Sequence, residues 1–107
     1  MRTITIPDDI NIIVNDNNTK KEIKFSFVNF LLNNPLNHKT FGESFDSLKN
    51  LKNLVNKVSQ LQPGDNLELD DDTYSKIKSL TLTPPEPYVP EIGLQLLPFL
   101  QAIDEAK

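Results

Sequence analysis

Apolar and polar positions alternate in the first quarter of the chain and recur every three to four residues through most of the rest. The run TITIP alternates briefly, Pro7, Asp8 and Asp9 interrupt it, and INIIV resumes from Ile10, with β-branched residues dominating both runs. Asn15 to Asn18 supplies turn chemistry, because Asn and Asp tolerate left-handed backbone and bond their own main chain. KEIKFSF then alternates again, with Ile23, Phe25 and Phe27 on one face and Lys24 and Ser26 on the other. Two alternating runs around an Asn/Asp turn predict a β-hairpin.

From Ser26 the rhythm changes. Phe27, Val28, Phe30, Leu31 and Leu32 are too dense for alternation and predict a short buried helix, with Ser26 as N-cap and Asn34-Pro35 as its end. Next, Phe41, Phe45, Leu48, Leu51, Leu54, Val55, Val58 and Leu61 recur at steps of three and four, a wide apolar stripe. Thr40 and Glu43 stand at capping-box spacing before this long helix, and Pro63-Gly64 stops it. NLEL, residues 66–69, offers Leu67 and Leu69 as a short strand able to join the hairpin. Asp70 or Asp71 then caps a helix with Tyr74, Ile77 and Leu80 facing inward. Residues 83–90 form a proline-rich connector, and Pro90 opens a final helix. The predicted class is α+β in one small domain, residues 1–107. Its N-terminal hairpin, extended by residues 66–69 if they make it a three-stranded antiparallel sheet, packs against three or four helices.

Composition narrows the function classes. The chain holds 107 residues, no Cys and a formal net charge of −4, with a pI near 4.8. No thiolate metal site, thiol nucleophile or disulfide framework exists without Cys. No window approaches the roughly 20 apolar residues of a membrane span, and the start lacks the apolar core of a signal peptide, so the reading is soluble and cytoplasmic. The acidic balance and single Arg, Arg2, argue against nucleic acid. Lys20, Lys21 and Lys24 on the hairpin and Lys49, Lys52 and Lys57 on the long helix are the candidates, but the latter three do not form one stripe. Twelve Asn residues are scattered among strong apolar positions and mark no low-complexity tract.

Few residues invite chemistry. Asp70-Asp71-Asp72 lacks the alternation, the Gly and the late Glu of a calcium loop, and helix capping explains it. His38 is the one histidine, in a turn, with no second ligand at metal spacing. The three glycines are isolated, so no phosphate loop exists. No catalytic, cofactor-binding or metal residue is assigned, and an enzyme is not expected. The prolines from Pro84 to Pro90 repeat at PxxP spacing, yet without a flanking Lys or Arg they read as a stiff connector.

The last helix holds what remains. Ile92, Leu96, Phe99, Leu100 and Ile103 share a face about 100° wide, and Leu94 and Leu97 fall off it. Pro98 in a helix interior removes the N–H for the Leu94 carbonyl and costs about 3 kcal/mol and a kink. Either the domain itself buries the surplus, which is the preferred reading, or Leu94, Leu97 and Pro98 meet another chain.

The order of TITIPDDI, FSFVNFLLN, PGDNLELDDD and PYVPEIGLQLLPFLQAI resembles short accessory proteins encoded by tailed bacteriophages. The likeness covers nearly the whole chain. It implies a phage context, with a virion component or a host protein as partner, and carries no functional residues over. The expected function is a non-enzymatic protein–protein interaction module, cytoplasmic in a bacterial host or virion-associated, with a homo-oligomer left open. The alternative is a nucleic-acid-binding or DNA-mimicking regulator.

Overall fold

The computed structural model describes the backbone of residues 1–107 and every side chain but that of Asp16. The class is α+β, with two small antiparallel sheets and five α-helices. Strands β2 (Ile10–Asp16) and β3 (Thr19–Phe25) form the hairpin, in register from Ile10 opposite Phe25 to Asp16 opposite Thr19. Its two-residue loop, Asn17 and Asn18, has φ of 50° and 65°. Two consecutive left-handed residues make the turn whose twist matches a hairpin, and Asn tolerates them best after Gly.

The strand at 66–69 forms, but it does not join the hairpin. β4 (Asn66–Leu69) pairs with β1 (Arg2–Thr5), placing Ile4 opposite Leu67, both fully buried. The pairing continues past the strand ends, where Ile6 N–H donates to the Asp65 carbonyl and Gly64 N–H to the Ile6 carbonyl. Gly64 turns the chain at φ +93°, a conformation a side chain would strain. On the other edge of β1, Thr3 and Lys107 exchange both backbone bonds, at 3.2 and 3.0 Å. The TITIP run is thus a strand of its own sheet, and Pro7-Asp8-Asp9 is the crossing to the hairpin.

Helix α1 (Phe27–Asn33) is capped by Ser26, whose Oγ accepts the Asn29 N–H at 3.1 Å. Two 3₁₀ turns follow, Pro35–Asn37 and Lys39–Gly42. Thr40 is taken up by the second, where its N–H donates to His38 Nδ1, so the Thr40–Glu43 capping box does not form. Helix α2 (Phe45–Val58) starts later, on Ser44, which accepts the Ser47 N–H at 3.1 Å. Helix α3 (Asp71–Leu82) is capped by Asp70, which accepts the Thr73 N–H at 2.7 Å.

The last helix is two. α4 (Pro90–Gln95) and α5 (Leu97–Asp104) meet at Leu96. The break places Pro98 in the first turn of α5, where its missing N–H has no carbonyl to meet. The interior-proline penalty therefore does not arise.

The core centres on α5. Phe99 lies 5.3, 5.7 and 5.9 Å, ring centre to ring centre, from Phe27, Phe30 and Phe25. Ile4, Ile6, Leu31, Leu67, Ile77, Leu96 and Ile103 close around this cluster. Tyr74, Ile77 and Leu80 of α3 face it, and Tyr74 Oη donates to the Ile103 carbonyl at 2.6 Å. Burial pushes the Tyr74 phenol pKa up, and Arg2 stands 5.5 Å over its ring. Among the described residues no helix is long and apolar enough to cross a membrane.

Candidate functional site

The corner between α4 and α5 gathers the residues whose burial the sequence left open. Residues 83–89, which contain neither helix nor strand, lead to it. Tyr88 fastens this connector, donating from its hydroxyl to the Thr81 carbonyl at 2.9 Å, and burial raises its pKa. Gly93 lets α4 close on Tyr88, since a Cβ there would stand 3.1 Å from the Tyr88 Cβ. Pro90 takes the first position of α4, where its fixed φ is already helical.

Gln95 fixes the other side of α4. Its Oε1 accepts the Ile13 N–H at 2.7 Å and its Nε2 donates to the Ile13 carbonyl at 3.1 Å. Ile13 stands opposite Glu22 in the hairpin with these two groups turned outward, so one side-chain amide pairs with the β2 edge as a strand residue would. Pattern reading overlooked Gln95, because nothing in its spacing distinguishes it from any other polar helix position.

With α4 held by Tyr88 and Gln95, and α5 anchored by buried Phe99 and Ile103, Leu94 and Leu97 face solvent. They are 67% and 44% exposed, and Pro98 is exposed beside them. Burial within the domain, the preferred expectation for the two leucines, is overturned. The reason is the break at Leu96: two short helices turn their shared inner residues, Leu96 and Phe99, toward the core and leave the off-face pair outside. The face of Ile92, Leu96, Phe99, Leu100 and Ile103 is the inner one, as its spacing predicts.

The other candidates have structural places. Asp70 is the α3 cap, and the Thr73 N–H it accepts holds its carboxyl below the usual carboxylate range. Asp72 meets Lys76 at 3.4 Å on the helix surface. His38 Nδ1 caps the second 3₁₀ turn and lies 2.7 Å from Thr40 Oγ1. Among the described residues no three His, Asp or Glu side chains come together as a metal site. Lys57 donates to the Glu68 carbonyl at 2.9 Å, and Lys24 and Lys49 lie within 4 Å of Asp9 and Asp46. A groove of about 430 Å³ runs between α2 and the β4–α3 junction, with Leu51, Leu54 and Leu69 among its walls and Lys57, Asp72 and Lys76 at its edges.

Comparison of the chain with protein-family models, with curated proteins and with solved structures found no match.

Proposed function

We propose that the chain is a non-enzymatic protein–protein interaction module whose contact surface is the corner of Leu94, Leu97 and Pro98. One observation carries this reading: two exposed leucines stand on backbone that is tied down on both sides, by Tyr88 and Gln95 and by Phe99. A lone exposed leucine is ordinary surface. Two on consecutive, ordered helices form an apolar spot that a partner can cover without first ordering a loop, which lowers the entropic cost of association.

The likeness to accessory proteins of tailed phages points to a virion component or a host protein as partner, met in the host cytoplasm or on the virion. The alternative of nucleic acid is disfavoured by the acidic balance of the chain, and of the six candidate lysines Lys24 and Lys49 stand beside Asp9 and Asp46 while Lys57 donates to the Glu68 carbonyl. The test is replacement of Leu94 and Leu97 together by Ser. The variant keeps the wild-type melting temperature, since neither side chain is core, and loses the proteins that the wild type captures from an infected-cell lysate. A variant that melts early, or that captures the same proteins, rejects the proposal.

A further inference from the structure

The α4–α5 corner is not the one place where large apolar side chains face water. Phe45 is 73% and Leu48 51% exposed on α2. At 100° per residue, Leu48, Lys52, Phe45 and Lys49 fall within an arc of about 100°, so two apolar and two cationic side chains share one face. Lys49 Nζ sits 5.1 Å over the Phe45 ring, part of that same surface.

The two exposed surfaces differ in charge. α2 carries Lys49, Lys52 and Lys57 against Asp46 alone, whereas α4 and α5 carry Glu91 and Asp104 and no Lys or Arg. Glu91 precedes Leu94 by three residues. Leu97, Gln101 and Asp104 follow at i, i+4 and i+7, so each leucine has a carboxylate on its own side of its helix. Among the described residues Lys52, Glu91 and Asp104 make no ion pair, and the Lys49–Asp46 contact is a 3.9 Å pair between exposed groups. Such a pair contributes little and yields readily to another carboxylate. Within one copy the surfaces cannot cover each other, because α2 packs on α1 and the 39–42 turn while α4 packs on β2.

We infer that the occupant of the Leu94–Leu97 corner is a second copy of this chain, which presents Phe45, Leu48, Lys49 and Lys52 of its α2. This rests on the reading of the corner as a contact surface and names what covers it. The contact joins two different surfaces, so each copy can hold one neighbour and be held by another, giving a ring where the rotation closes and an open chain where it does not. The self-complementary alternatives set lysines against lysines or carboxylates against carboxylates. With two apolar anchors a side the contact belongs to the small, transient class, and its exposed charges make it sensitive to salt.

Sedimentation velocity of the full chain, up to about 1 mM, tests this. The average mass rises with concentration beyond a dimer in low salt and falls back in high salt. Phe45→Ser with Leu48→Ser, and Leu94→Ser with Leu97→Ser, each abolish the rise alone. Mixed in equal amounts they form a dimer that grows no further, since each supplies the surface the other lacks. Charge reversals repeat the test without touching an apolar group: Lys49→Glu with Lys52→Glu, and Glu91→Lys with Asp104→Lys, lose the rise singly and regain it together. A wild type that stays monomeric throughout overturns the inference. So does association that survives either Ser pair, or that mixing fails to restore. A monomeric wild type whose captured partner is lost on changing Leu94 and Leu97 overturns only the second copy and leaves the contact corner standing.

Discussion

Helices α2 and α5 differ in how much they bury. α2 has fourteen residues with apolar positions at steady steps of three and four, yet Val58 is its one buried side chain. α5 has eight residues and a proline in its first turn, and it buries Phe99 and Ile103 completely. Periodicity says which side of a helix is apolar, not whether anything lies against that side. α5 falls where three other phenylalanine rings converge, and Tyr74 grips its last turn through the Ile103 carbonyl. α2 faces the groove beside β4 and α3, so Leu51, Leu54 and Val55 are half-buried and Phe45 and Leu48 escape the interior.

The strongest test of this contrast is Phe99→Ala. Removing a ring at the meeting point of the aromatic cluster is expected to cost about 3–5 kcal/mol, read as a lower midpoint in urea unfolding with an unchanged slope. For a domain of ordinary stability that is a large share of the total. A loss under about 1 kcal/mol would mean that α5 is not the centre of the core.

Next comes the cap of α3, which lines the groove beside α2. Asp70→Ala leaves the Thr73 N–H without its partner and is expected to cost about 1 kcal/mol, while Asp70→Asn, an equally good cap, stays near wild type at neutral pH. The pH dependence separates them. Asp70 has its folded pKa lowered, so its ionised form stabilises the fold fully above the unfolded value of about 3.9 and that contribution fades as pH falls through the folded one. Thermal melts across the acid range therefore show a shallower loss for Asp70→Asn than for wild type. Parallel curves would show that the cap does not depend on charge.

Gln95→Ala has a smaller effect. Its two bonds to Ile13 are exposed, and their joint loss is expected to cost about 0.5–1 kcal/mol. Amide exchange is the sharper measurement: the Ile13 N–H loses its acceptor and exchanges faster, while amides bonded across the hairpin keep their rates. Unchanged exchange at Ile13 would show that α4 does not guard the β2 edge.

Much of the fold is legible because local chemistry decides it. Asn17 and Asn18 make the hairpin turn, Ser26 and Asp70 cap their helices, and Pro90 starts one. What was not legible depends on distant partners. Leu67 and Leu69 announce a strand, but alternation does not name a neighbour, and β1 rather than the hairpin takes it. Thr40 and Glu43 match a capping box, yet His38 competes for the Thr40 N–H and Ser44 caps instead. Leu94 and Leu97 could be seen to lie off the inner face. Their exposure follows from the break at Leu96, which relieves Pro98 by ending one helix and starting another.

The smallest expected effect closes the comparison from the α2 side. Phe45 is the largest side chain in the chain's most regular helix, and a reading of periodicity alone would make Phe45→Ala as costly as Phe99→Ala. Its ring is nearly three-quarters exposed, with the Lys49 ammonium 5.1 Å over it, a cation–π contact of about 0.5–1 kcal/mol at such a site. Alanine returns part of that through its higher helix propensity. The net change is expected to stay within about 0.5 kcal/mol in the dilute chain, by the same urea unfolding used for Phe99. A cost of 2 kcal/mol or more would place Phe45 in the core and remove the α2 surface on which head-to-tail association depends. A neutral result, paired with loss of self-association when Leu48 is changed as well, would assign this ring to an interface rather than to the fold.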